Sequence, residues 1–287
     1  MDRAESTKVI NYRDETFAEE ETSVVREIPL AIFVCGHEII SLLTIPDDLE
    51  NLAIGFLYLE GLIQGLEEVR SIELDETRGV VNVDMIHGEE AAEFLARKRT
   101  ITSGCGKGTT FHNVLDTFSC LRISSGQILN PNRIFALFDA LNERSLLYRK
   151  TRCVHNVALC TNEEVLIFRE DIGRHNALDK ICGESLRKGL DTGDKVIVTT
   201  GRVTSEIVIK VGRMGIPIIL SRSSPSSQAL SLADSAGITI VGRIRRGKFT
   251  VFSHPERIAG TGEGRGPRSG RQEACGAQTS INRGRTQ

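Results

Sequence analysis

A chain of 287 residues is long enough to bury a full hydrophobic core and fits one large domain or two smaller ones. Hydrophobic residues at 40%, charged residues at 26% and a formal net charge of -2 describe an ordinary globular protein and give no basis for non-specific nucleic-acid binding. Trp is absent and aromatics reach only 5%, which argues against stacking platforms for single strands, and no apolar run approaches the roughly 20 residues of a membrane span. The start, Met1-Asp2-Arg3-Ala4-Glu5-Ser6, lacks the apolar core of a signal peptide, so neither membrane nor nucleic acid is an expected partner and the cytoplasm is the expected location.

In chain order, residues 1–24 are polar and acidic and predict a flexible N-terminus. Glu27 to Val34 and Glu38 to Leu43 read as strands around a turn at Gly36. Pro46-Asp47-Asp48-Leu49 opens a helix whose apolar face is Leu49, Leu52, Ala53, Phe56 and Leu57, and Gly61 stops it. Short strands follow near Val69–Leu74 and Val80–Met85, then a Gly-rich loop from Thr100 to Thr110. Asn130-Pro131 caps a helix carrying Ile134, Leu137, Phe138 and Leu141. Val154–Cys160 and Val165–Phe168 read as a hairpin. Helix 176–187, strand Lys195–Thr199, helix 205–214, strand Ile216–Leu220, helix 226–236 and strand Ile238–Val241 then alternate, and strand Phe249–Phe252 closes the series. Alternation of this kind predicts an α/β fold with a mostly parallel sheet and right-handed crossovers. The expected organisation is an N-terminal α+β portion at 25–128, an α/β domain at 129–259, and a disordered Gly/Arg/Ser/Thr tail at 260–287.

The seven cysteines are Cys35, Cys105, Cys120, Cys153, Cys160, Cys182 and Cys275. Their odd number, irregular spacing and lack of any Cys-x-x-Cys pair argue against a disulfide framework or a four-cysteine zinc site. Cys35, Cys120, Cys160 and Cys182 sit among apolar residues as core fillers. Cys105 differs. It lies in Thr102-Ser103-Gly104-Cys105-Gly106-Lys107-Gly108, where glycines free the backbone and Lys107 favours the thiolate. Two readings of this loop stand side by side, a reactive thiol able to carry sulfur as a persulfide and a phosphate-holding glycine loop with an incidental Cys. It is not a Walker A loop, since Lys107 comes too early.

The run Glu170-Asp171-Ile172-Gly173-Arg174-His175-Asn176-Ala177-Leu178-Asp179-Lys180 falls where a strand ends and a helix begins, a common ligand position in α/β folds. Any one of its polar residues could simply brace or cap the turn, but the whole run suits an anion or nucleotide site. Cys153-Val154-His155-Asn156, the turn from Thr199 to Glu206 and the turn Leu220-Ser221-Arg222-Ser223-Ser224-Pro225-Ser226 also sit at strand ends. His155, Arg174, His175, Arg202 and Arg222 are therefore expected to line one anion pocket, with capping by Ser and Thr as the plainer alternative.

The EDIGRHNALDK run, the TGRVTSE and SRSSPSS turns and the SGCG loop together resemble the FdhD family of formate dehydrogenase accessory proteins, regarded as sulfur carriers. The IPDDLENLAIGFLYLEGLI and SHPERI segments are similar to it too, and the likeness spans about Glu27 to Ile258. The resemblance implies a cytidine-deaminase-like layered mixed sheet with a smaller N-terminal portion. It also implies that a cysteine desulfurase loads sulfur on Cys105 as a persulfide, and that the sulfur passes to a molybdenum cofactor with two pterin guanine dinucleotides required by formate dehydrogenase. The family's cofactor-binding stretch falls on Arg243, Ile244, Arg245, Arg246, Gly247 and Lys248, whose four cations suit phosphate groups.

Two departures stand out. Gly108 occupies the place of the second cysteine that many members carry in the loop, and Cys153 replaces a common Gly before Val154-His155. A binding-only chaperone for cofactor or apo-enzyme would use the same residues and stays an alternative. A zinc deaminase would need His-x-Glu plus Pro-Cys-x-x-Cys; His87-Gly88-Glu89 supplies the first and the chain lacks the second, so no metal site is expected. The oligomeric state is open, a homodimer being one outcome.

Overall fold

The computed structural model describes residues 2–86 and 121–261. The Cys105 loop, Cys120, His87 to Glu89, Cys275 and the tail expected to be disordered lie outside the described residues.

The chain opens with a two-stranded ribbon, β1 (Ala4–Arg13) and β2 (Thr16–Val25). This corrects the flexible segment expected from the polar composition of residues 1–24. Asp14 and Glu15 take left-handed conformations (φ 49° and 64°), as a two-residue hairpin turn requires. Tyr12 and Phe17 then face each other with ring centroids 5.0 Å apart, and Lys8 pairs with Glu19 at 3.0 Å. No glycine marks the turn, so composition hides it.

A four-stranded sheet follows, with β3 (Ile28–Val34), β4 (His37–Thr44), β5 (Val69–Asp75) and β6 (Val80–Met85) in the order β4-β3-β6-β5. It packs on α1 (Leu49–Glu60), which buries Leu49, Leu52, Ala53, Ile54, Phe56 and Leu57 with Leu30, Ile32, Val81 and Val83. Each large apolar side chain so buried contributes about 1.5–3 kcal/mol. Gly61 ends the helix in the left-handed region (φ 79°), as its place after the apolar run predicts.

The larger body is a six-stranded sheet in the order β12-β11-β10-β9-β7-β8. Its strands are β7 (His155–Cys160), β8 (Val165–Asp171), β9 (Val196–Thr199), β10 (Ile218–Ser221), β11 (Thr239–Arg245) and β12 (Lys248–Ser253). Only β9–β10 and β10–β11 are parallel, while β7–β8, β7–β9 and β11–β12 are antiparallel. The sheet is mixed rather than mostly parallel. The parallel pairs are those separated by a helical crossover, and short turns force the two hairpins antiparallel.

Strand alternation sorts the core into two layers. Val157, Leu159, Ile197, Ile219 and Ile240 face α4 (Arg174–Arg187), α5 (Ser205–Arg213) and α6 (Ser227–Ala236). Ala158, Cys160, Val196, Val198, Ile218 and Leu220 face α2 (Pro131–Arg144), whose Ile134, Leu137, Phe138 and Leu141 are all buried. Asn130 caps α2 by accepting from the Asn132 N–H, with Pro131 in the first turn. A short helix, α3 (Leu146–Thr151), follows it.

The two cores join where α1 crosses α4. A Cβ on Gly55 would lie 1.8 Å from the Asp179 carbonyl oxygen, and one on Gly183 would lie 2.0 Å from that of Asn51. Glycine at both positions lets the backbones touch. Arg169 on β8 adds a polar tie, pairing with Asp48 before α1 and with Glu184 on α4.

Candidate functional site

The run from Glu170 to Lys180 is largely a buried scaffold. Asp171 is fully buried, and its carboxylate accepts from four donors: Gly173 N–H (2.9 Å), Asn176 Nδ2 (3.0 Å), Thr44 Oγ1 (2.6 Å) and Lys180 Nζ (2.7 Å). Asn176 also donates to the Leu43 carbonyl at 2.8 Å. Glu170 accepts from the Leu147 and Tyr148 N–H groups at the start of α3. Asp179 binds Lys210 of α5 through both oxygens, at 2.7 and 2.8 Å, and Glu60 of α1 lies 3.6 Å from the same amine. Burial pushes the Lys210 amine down, but Asp179 and Glu60 outweigh it and hold the pKa above the usual lysine value. Asp171 is thus braced by Lys180.

This scaffold presents the start of α4 at the edge of the sheet where β9 and β10 also end. The turns there are laced together. Gly201 N–H donates to Thr199 Oγ1, Ser221 Oγ donates to the Gly201 carbonyl at 2.7 Å, and Ser223 N–H donates to Ser221 Oγ. The Arg222 N–H reaches the Thr199 carbonyl at 3.1 Å. Ser226 caps α6 by accepting from Ala229, the plainer role expected of these serines.

Between these turns and the β11–β12 hairpin lies a groove of about 600 Å3 lined by Thr200, Arg222, Ser223, Ser224, Arg243, Arg245 and Lys248. Four cations and three hydroxyls converge without an acid among them, a lining suited to phosphate. The hairpin's local geometry sets this wall of the groove. Between Gly242 and Arg245 the register slips, and Arg243 sits in the left-handed region at φ 56°. Its Nε donates to Ser224 Oγ at 3.0 Å and its guanidinium lies over Phe252, 5.4 Å from the ring centre. Gly242 permits the approach, because a Cβ there would meet the Ser223 carbonyl at 2.8 Å. A non-glycine residue in this conformation costs on the order of 1–2 kcal/mol.

A second cluster adjoins the groove at Thr200, which exchanges hydrogen bonds with Asn156 of β7. It contains His155, Arg174, His175 and Arg202. Burial lowers the His155 pKa, and the positive fields of Arg174, His175 and Arg202 lower it further. Arg174 lies against Gly201, where a Cβ would be 3.1 Å from its Cδ. His175 Nε2 is 3.0 Å from Glu206 at the start of α5.

The single pocket expected from His155, Arg174, His175, Arg202 and Arg222 is therefore two neighbouring clusters. Arg222 joins Arg243, Arg245 and Lys248 in the groove. Ile244 points into the core at 4% exposure, and Arg246 and Gly247 form the turn rather than the groove wall. Thr200, Ser223, Ser224 and Glu206 lie within the predicted turns but do not stand out in the sequence, because Ser, Thr and Glu at helix starts signal capping first. Cys160 and Cys182 are buried as expected, and burial pushes the Cys160 thiol up to about 12, which makes it inert. Cys35 is only partly buried and Cys153 is exposed. Among the described residues no helix is long and apolar enough to cross a membrane.

A layered α/β body whose sheet is covered by helices on both faces, with a basic, hydroxyl-lined groove at the strand ends, sets the fold class of the chain. The chain belongs to the FdhD/NarQ family, whose model matches residues 25–259. It is 38% identical to the sulfur carrier protein FdhD of Bacillus subtilis (strain 168) over 250 residues, covering 87% of this chain and 95% of that protein. It is 39% identical to the sulfur carrier protein FdhD of Geobacillus kaustophilus over 255 residues, covering 89% and 97%. The fold matches the crystal structure of a protein from Desulfotalea psychrophila assigned as a formate dehydrogenase accessory protein. The TM-score is 0.74 and the identity 31%, over 90% of this chain and all of that one.

Proposed function

We propose that this chain is a sulfur carrier in the maturation of formate dehydrogenase. In this reading the Cys105 thiolate attacks the outer sulfur of a persulfide on a cysteine desulfurase. The sulfur–sulfur bond on the desulfurase breaks, its cysteine leaves as a thiolate, and Cys105 becomes the persulfide. Lys107 favours the attacking thiolate electrostatically. The acceptor is the molybdenum cofactor with two pterin guanine dinucleotides, a polyanionic substrate. The observation that carries the reading is the basic groove: Arg222, Arg243, Arg245 and Lys248 converge on one cavity with Ser223 and Ser224. These donors suit pyrophosphate, and the neighbouring His155, Arg174, His175 and Arg202 extend the positive field along the sheet edge. The family membership and the relatives' names as sulfur carriers support the same assignment. Gly108 leaves one thiol in this part of the loop, and one thiol suffices for a carrier. The reading places the chain in the cytoplasm with the desulfurase and the apo-enzyme.

The test is intact-mass measurement after incubation with a cysteine desulfurase and cysteine. The chain should gain the mass of one sulfur atom, released by reductant, and Cys105→Ala should gain none while restoring no formate dehydrogenase activity in cells. A wild-type chain that binds guanine nucleotide but takes up no sulfur would make it a binding-only chaperone and end the sulfur-carrier reading.

A further inference from the structure

The groove's four cations and three hydroxyls attract the phosphates of any nucleotide alike, so they do not tell one base from another. A choice between purines needs a group outside the groove lining. The segments that build this edge of the sheet, 153–156, 170–176, 199–206, 220–226 and 242–248, contain three acids: Glu170, Asp171 and Glu206. Two of them are taken up inside the fold. Glu170, at 4% exposure, accepts from the Leu147 and Tyr148 N–H groups, and the fully buried Asp171 accepts from four donors. Glu206 differs. Its side chain is 32% exposed, and the Nε2 of His175, on the first turn of α4, lies 3.0 Å from one of its oxygens.

Glu206 follows directly on the groove wall. Thr200 of the same turn lines the groove, and the Val203 N–H donates to the Ser224 carbonyl at 3.3 Å while the Val203 carbonyl accepts from the Ser226 N–H at 3.0 Å. The first turn of α5, which carries Glu206, starts two residues later. A nucleotide whose phosphates lie on the groove cations therefore has this carboxylate within its surroundings. Guanine presents its N1–H and its C2 amine side by side, two donors that one carboxylate accepts together, whereas adenine presents a bare ring nitrogen that a carboxylate repels. A carboxylate has about four acceptor sites, so contact with His175 and with a base are compatible. Resting on the reading of the groove as a nucleotide-phosphate site, we infer that Glu206 is the residue that selects guanine, with His175 holding its carboxylate in place.

Calorimetry on the full chain tests this, with GDP, ADP, xanthosine diphosphate and inorganic pyrophosphate as probes. The wild type should bind GDP about tenfold or more tightly than ADP, the size expected of charge-assisted hydrogen bonds to a base. Glu206→Gln should lose about tenfold or more for GDP. The same variant should bind xanthosine diphosphate more tightly than the wild type does, because the C2 carbonyl of xanthine accepts from the glutamine amide and is repelled by the carboxylate. Glu206→Ala should lose the guanine preference without the gain for xanthine. Pyrophosphate, which has no base, should bind both variants at least as well as the wild type, since an acid near an anion has been removed. Four results would each overturn the role of Glu206 and leave the groove standing: equal GDP and ADP affinities in the wild type, a guanine preference that survives Glu206→Gln, no gain for xanthosine diphosphate in that variant, or a loss of pyrophosphate alongside GDP. A wild type that binds neither pyrophosphate nor GDP would overturn the groove reading and this inference with it.

Discussion

Gly55→Ala tests the contact that unites the two cores. The added Cβ would sit 1.8 Å from the Asp179 carbonyl oxygen and 2.9 Å from the Gly183 nitrogen. A carbon–oxygen contact relaxes at about 3.3 Å, so α1 and α4 must part by roughly 1.5 Å. Gaps of about 0.5–1 Å already forfeit a quarter to a half of each dispersion contact. Overpacking of this kind costs about 1–3 kcal/mol and occasionally more. Here the upper end applies, since the obstacle is backbone on both sides and Lys210, held between Asp179 and Glu60, resists the shift. Alanine returns about 1 kcal/mol through its better helix propensity, which leaves a net loss of about 2–3 kcal/mol. At about 2–4 °C per kcal/mol for a chain of this size, the melting temperature should fall by roughly 5–10 °C. Gly183→Ala should do the same against the Asn51 carbonyl, and the two together should lose less than their sum because one separation relieves both. Gly126→Ala is the control, with nothing within 4 Å of its added Cβ. A Gly55→Ala protein as stable as the control variant in thermal and urea unfolding would refute the backbone contact.

Removing the Asp171 carboxylate leaves the fully buried Lys180 without its partner, so Asp171→Ala should cost about 3–5 kcal/mol in urea unfolding; an unchanged midpoint would dismiss the scaffold role. In the groove, Arg245→Ala should weaken guanine-nucleotide binding by about 1.5–3 kcal/mol in calorimetry, with a reduced salt dependence, whereas Arg246→Ala, on the turn, should change it by less than about threefold. Equal losses would place the phosphates on the turn instead. His155 has a folded pKa below its ordinary 6.5, so as pH falls through 6.5 the unfolded chain takes up a proton that the folded chain resists and stability drops. A bound phosphate relieves that repulsion, so nucleotide affinity should climb over the same fall in pH, and a His155→Ala variant with the same pH profile as wild type would show that the anion never reaches this cluster.

Much of the architecture was legible in the chain itself. Periodicity placed α1, α2 and the alternating β9–α5–β10–α6–β11 series, because a helix or strand that must bury one face writes that face into its spacing. Gly61 and Asn130-Pro131 marked their helix ends for reasons confined to one or two residues. Residue order within the long motifs pointed to the family. The ribbon at 4–25 stayed hidden, since its turn lacks glycine and its strands bury little. Sequence also could not divide the labour within Glu170 to Lys180. Asp171, Asn176 and Lys180 look as reactive as Arg174 and His175 when read in a line. Only the folded chain shows that Thr44, Leu43 and Lys210, from 31 to 133 positions away, absorb the polar groups of this run into the interior. Likewise, a one-residue slip between β11 and β12 decides that Arg245 faces the groove while Arg246 rides the turn. Local pattern records which side chains want burial or charge. Which charges meet each other, and which remain for a ligand, is set by contacts between residues far apart in sequence, and those exist only once the backbone has closed.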